Sequence, residues 1–166
     1  MNRELLAADE NAIGGANTPA RVIESSYVTL TIPCAAEYVG TARLTILGVA
    51  SRMGFSYDQV EDIRLAVGEA CTNAIARAEA MAQPSAPTIT IRSLIEPDQL
   101  IVEIEDSVAS TTNPSAHAGE GGEDEVNPAE LGALLMEILV DEVTLRSSPT
   151  GTHVRLTKYA TLIPAI

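Results

Sequence analysis

The residues best placed to do chemistry lie in Gly68-Glu69-Ala70-Cys71-Thr72-Asn73-Ala74, inside a long helical run. Glu69 and Asn73 are four residues apart, which puts a carboxylate and a carboxamide on one face of a helix. Val60, Ile63, Val67, Ala70, Ala74 and Ala78 follow the rhythm of a buried stripe, and the pair is expected roughly opposite it. One group can accept a proton while the other lends an oxygen to a divalent cation. The alternative is a plain solvated face. Ala66, Ala70, Thr72 and Ala76 flank the pair, however, and such small residues let another body come close, whereas exposed faces favour long side chains.

The helix needs partners to hold it. Tyr27 to Ile32 alternates as a strand that Pro33 stops. A first helix is expected over Ala36 to Met53, with Gly54 at its end. Ser56 is placed to cap the second, Tyr57 to Met81, which Pro84 and Pro87 break. Thr88 to Ile95 and Gln99 to Glu105 form a hairpin across Glu96-Pro97-Asp98. Pro128 to Val140 is a third helix, and Glu142 to Arg146 with His153 to Lys158 a last hairpin. This order predicts an α/β fold: a two-layer α/β sandwich with a mixed, mostly antiparallel sheet and three main helices on one face. Residues 1–24 read as a flexible tail. Residues 25–160 make one domain, with a polar segment at about 107–128 long enough to be a lid.

The chain has 166 residues and a formal charge of −13, which disfavours direct binding to nucleic acid. Cys34 and Cys71 have no metal-like spacing and are expected as buried free thiols. Met1 to Glu24 lacks the basic start and apolar core of a signal peptide, and no apolar run reaches membrane-spanning length. A cytoplasmic protein without membrane contact is expected.

Several stretches carry a resemblance: Glu37-Tyr38-Val39-Gly40, Arg43-Leu44-Thr45, Gly48 to Gly54, Glu69 to Ala74, Leu135-Met136-Glu137 with Asp141-Glu142-Val143, and Thr157-Lys158-Tyr159. From about Ser26 to Tyr159 the chain resembles the bacterial anti-sigma-B factors, the serine-protein kinase RsbW family. This group belongs to the wider ATPase superfamily of gyrase, Hsp90 and histidine kinases, with its Bergerat-type fold. The resemblance implies an anti-sigma factor that holds an alternative, stress-response type sigma factor. It also implies phosphorylation of a serine on an anti-anti-sigma partner with a STAS domain, using ATP and Mg2+, and a homodimer formed through the first helix and strand. Glu69 would then be the general base and Asn73 the magnesium ligand. Asp106 would accept from the adenine amine, with Gly151-Thr152 beside it, and Gly132 would border the phosphates. Arg43 would grip a partner.

The sequence departs from the family pattern at the glycines. Asp106-Ser107-Val108-Ala109-Ser110 lacks both glycines of the Asp-x-Gly-x-Gly box, and Ala129-Glu130-Leu131-Gly132-Ala133 keeps one of the phosphate-loop glycines. Glycines there let backbone amides approach phosphate, and Glu130 adds a like charge. Between Asp106 and Leu131 there is no Lys or Arg, while Glu120, Glu123, Asp124 and Glu125 are acidic. Lids over triphosphate usually supply a cation. His117 and a Gly119-Glu120-Gly121-Gly122 cluster are weak candidates, and Arg77 on the second helix could compensate. A module that binds partners without nucleotide is therefore the alternative.

Overall fold

A computed structural model describes residues 26–81, 86–109 and 128–161. The expected tail, the heart of the lid with His117 and the Gly119–Gly122 cluster, and Pro84 lie outside the described residues.

The strands are β1 (Ser26–Pro33), β2 (Thr88–Ile95), β3 (Gln99–Asp106), β4 (Glu142–Ser148) and β5 (Gly151–Tyr159). They form one sheet in the order β1-β2-β3-β5-β4. Every pairing is antiparallel, so the sheet is not mixed. The helices are α1 (Val39–Ala50), α2 (Tyr57–Ala80) and α3 (Pro128–Leu139). The first helix is shorter than its sequence suggested. Ala36–Tyr38 is a separate 3-10 turn, and the chain leaves α1 through Ser51 and Arg52 to Gly54, which has φ of 74°. That left-handed backbone suits glycine.

Side chains of a strand alternate between faces. Ile89 and Ile91 on β2, Leu100, Val102 and Ile104 on β3, and Val154 and Leu156 on β5 point to the helices and are buried. The same alternation carries Asp106, paired across from Ile89, onto the helix side at the end of β3. The core is completed by Ala42, Ile46, Val49 and Ala50 of α1, by Val60, Ile63, Val67, Ala70 and Ala74 of α2, and by Met136.

Helix α2 starts on a capping box. The Ser56 hydroxyl accepts from the Gln59 N–H at 3.2 Å, and Gln59 Oε1 accepts from the Ser56 N–H at 3.1 Å. Gln59 Nε2 also donates to the Tyr159 carbonyl at 2.9 Å, tying this end of α2 to β5. Lys158 Nζ donates to the last carbonyl of α3, Leu139 O, at 2.8 Å, and pairs with Asp62 at 3.3 Å. That cation satisfies an orphan carbonyl and sits at the favourable end of the helix dipole. It fixes the far end of α3 against α2.

Candidate active site

Helix α2 buries more than the single stripe its periodicity suggests. Ala66, Gly68, Cys71 and Ile75 are buried beside Val60, Ile63, Val67, Ala70 and Ala74, because α1 and α3 pack on either flank while the sheet packs beneath. Glu69 and Asn73 are therefore half-buried and not on an outward face. Of the small residues beside them, Ala66 and Ala70 belong to the core, and Thr72 and Ala76 face solvent.

The body that approaches the pair is α3 itself. A Cβ placed on Gly132 would lie 2.5 Å from Glu69 Oε1, 2.6 Å from Asn73 Nδ2 and 3.0 Å from Asn73 Oδ1. Only a glycine allows α3 to seat the start of its second turn on the carboxylate and the carboxamide. Gly132 is buried, while Glu130, two residues earlier, is exposed. Its charge is turned away from the pair rather than into it.

Asp106 forms the second half of the site. Its residue is 5% exposed, and its carboxylate is held on several sides. Oδ1 accepts from the Val108 N–H at 3.1 Å and from the Thr152 N–H at 3.3 Å. Oδ2 accepts from Arg77 Nη2 at 2.5 Å. Thr152 is itself buried, and Gly151 earns its place by close approach, since a Cβ there would overlap the Asp106 carbonyl oxygen. Gly151 and Thr152 are thus built onto Asp106 and are more than a hairpin turn. A cavity of about 130 Å³ opens at this end of the sheet, lined by Asp106, Gly151 and Thr152 together with Arg146, Ser148 and His153.

Arg77 is the residue on α2 that could compensate for a lid without a cation. The structure engages it with Asp106 instead, across 29 residues of sequence. Residues 69, 73 and 77 share one helix face at successive turns, so Arg77 was visible as a neighbour of the pair but not as the partner of Asp106. Arg43 lies half-buried between α1 and α2. Its guanidinium lies over Gly68, where a Cβ would come 2.7 Å from Nη2 and 2.8 Å from Cζ. Its Nε is buried and makes no hydrogen bond. The signal for this contact was a glycine inside an otherwise alanine-rich helix, where it costs about 1 kcal/mol unless something packs on it.

Among the described residues, no three His, Cys, Asp or Glu side chains gather as a metal cluster. Cys34 and Cys71 are free; Cys71 is buried as expected, whereas Cys34 is half-buried. Burial pushes the Cys71 thiol up to about 12, with the neighbouring Cys34 adding to the rise and Arg43 opposing it. No described helix is long and apolar enough to cross a membrane.

The arrangement is a carboxylate beside a carboxamide under a helix N-terminal turn, with a buried aspartate at the end of an adjacent strand. Residues 32–158 match the histidine kinase-like ATPase domain. The serine-protein kinase RsbW of Bacillus velezensis is 38% identical over 139 residues, covering 80% of this chain and 85% of that protein. Its counterpart from Bacillus subtilis is 37% identical over 141 residues, with 81% and 86% covered. A solved structure of the RsbU and RsbW domains of a Mycobacterium tuberculosis protein superposes with a TM-score of 0.60 at 18% identity. That match covers 82% of this chain and 33% of the longer mycobacterial one, and shows the same fold. By sequence and by fold, the chain belongs to the serine-protein kinase RsbW family of histidine kinase-like ATPase domains.

Proposed function

We propose that this protein is an ATP-dependent serine kinase and anti-sigma factor. It holds an alternative sigma factor and exchanges it for an anti-anti-sigma protein with a STAS domain, whose serine it phosphorylates. The observation that carries this reading is the seating of Gly132 on Glu69 and Asn73, which joins the carboxylate, the carboxamide and a helix N-terminus in one place.

In this reading Asp106 accepts from the exocyclic amine of adenine. The Val108 and Thr152 N–H groups fix the carboxylate for that contact. A buried site built to receive a donor rejects bases that lack one. Gly132, just after the first turn of α3, lets that end of the helix come near the phosphates, whose charge a helix N-terminus favours. Glu69 accepts the proton of the partner's serine hydroxyl, which makes the oxygen a nucleophile.

The oxygen of Asn73 is a hard ligand suited to Mg2+, which commonly takes one or two protein oxygens and completes its shell with phosphates and water. That chemistry fits a half-buried amide around which the described residues gather no carboxylate cluster. Bound there, the ion would neutralise phosphate charge, which matters more because Arg77 is engaged with Asp106. Arg43, half-buried at the α1–α2 junction, is the partner-binding residue in this reading, and homodimerisation is placed at α1 and β1.

A second reading, a partner-binding module that has lost nucleotide, is favoured by one observation. The Arg77 guanidinium stands on Asp106 where the amine of a base would donate. Calorimetric titration with ATP and Mg2+ separates the two. Magnesium-dependent binding at micromolar concentration supports the kinase, and absence of binding by the folded protein selects the binder.

A further inference from the structure

Asp106 has little acceptor capacity left. Oδ1 takes two backbone N–H groups and Oδ2 takes Arg77 Nη2. A carboxylate oxygen accepts about two hydrogen bonds, so any further donor must approach Oδ2 beside or in place of a guanidinium. Arg77 is held there firmly for a long side chain. Its partner's side chain is 4% exposed against 36% for its own, and a buried carboxylate strongly favours a cationic neighbour. The Arg77 Nε is buried and makes no hydrogen bond, so the side chain gives up one donor to keep the Nη2 contact.

We propose that Arg77 is a latch on the base pocket: the amine of an aminopurine competes with its guanidinium for Asp106 Oδ2. This rests on the reading of Asp106 as acceptor for the base amine. Arg77 then lowers the affinity of the pocket for the base and sets the concentration at which nucleotide loads, independently of the phosphate contacts around Gly132. A ligand that cannot donate at that position gains nothing by opening the latch, so the device also sharpens discrimination toward bases with an amine.

The test uses adenosine, which has no phosphates for Arg77 to attract. The full-length protein and its Arg77→Gln variant are titrated by calorimetry, with ATP and Mg2+ as a parallel titrant. Arg77→Gln should bind adenosine about tenfold tighter, matching the loss of one partly exposed charged hydrogen bond from the free state. Without ligand it should melt lower than the parent, because Asp106 is left with an unpaired oxygen, and saturating adenosine should narrow the gap. Arg77→Lys, which keeps the charge but not the fork, should fall between the two and serves if the glutamine variant does not fold. Equal or weaker adenosine binding by a folded variant overturns the latch. If the parent still binds ATP in that case, the kinase reading stands without it. If neither protein binds adenosine or ATP, both fall.

Discussion

Replacing Gly132 by alanine should separate activity from stability. The new Cβ would sit 2.5 to 3.0 Å from Glu69 Oε1 and from both terminal atoms of Asn73. All three are the ends of side chains, not backbone, so the clash is relieved by rotating the pair aside. Turning two side chains off their preferred rotamers costs about 0.5–1.5 kcal/mol each. Alanine inside a helix returns about 1 kcal/mol over glycine. The net change is within about 2 kcal/mol, or a shift in Tm of roughly 4–8 °C at most for a domain of this length. Catalysis is far less forgiving, because a misplacement of about 1 Å at a reacting group can lower the rate about 100-fold. The assay is phosphoryl transfer from radiolabelled ATP to the serine of the anti-anti-sigma partner, beside a melting curve for each protein. Gly132→Ala should retain most of its stability and lose about 100-fold in transfer rate. Full transfer by a folded Gly132→Ala would show that the Glu69–Asn73 geometry is not the catalytic one, and the reasoning would fail.

Gly151→Ala should behave in the opposite way. Its Cβ would overlap a backbone carbonyl, that of Asp106, which cannot swing aside, so a loss of about 3 kcal/mol or more in urea denaturation is expected. A small loss would mean that the hairpin shifts freely. Ser56→Ala removes the capping box of α2 and should cost about 1 kcal/mol, read as a lower urea midpoint at unchanged slope. Cys71 predicts a pH dependence. Its thiol titrates near 9.0 when unfolded and near 12 when folded, so the native state keeps a proton that the unfolded chain loses. The stability it contributes is complete below about pH 9 and is lost as pH rises toward 12, by about 1.4 kcal/mol per unit. A Cys71→Ala variant should show a shallower decline above pH 9, and parallel curves would refute the assignment.

The sequence was informative where the cause is local. The capping residue Ser56 and the hairpin at Glu96-Pro97-Asp98 depend on neighbours within a few residues and stand where their chemistry required, whereas Gly54 takes its left-handed turn beyond the end of α1 at Ala50 and not at it. The last hairpin is tighter than expected, because its strands run on to Ser148 and Gly151 and leave Pro149 and Thr150 as the turn. The Glu69–Asn73 pair was visible from spacing alone, but its surroundings were not. Gly132 reaches it from a helix some sixty residues away, and no helical period records that. Asp106 shows the same limit. Strand alternation gives its face, whereas its bonds to Thr152 and Arg77 join β3 to β5 and α2. Resemblance to a family supplied the Asp106–Thr152 neighbourhood. It could not supply Arg77–Asp106, which belongs to this chain's own side chains.

The kinase and the role of Glu69 are tested together by a time course of phosphoryl transfer from ATP to the partner's serine, comparing the parent protein with Glu69→Ala. Binding of the sigma factor is measured on the same preparations. Serine phosphorylation by the parent, none above background by Glu69→Ala, and equal sigma binding by both are expected. Transfer that survives in Glu69→Ala would remove Glu69 as the base, and no transfer by a parent that binds sigma would contradict the kinase itself.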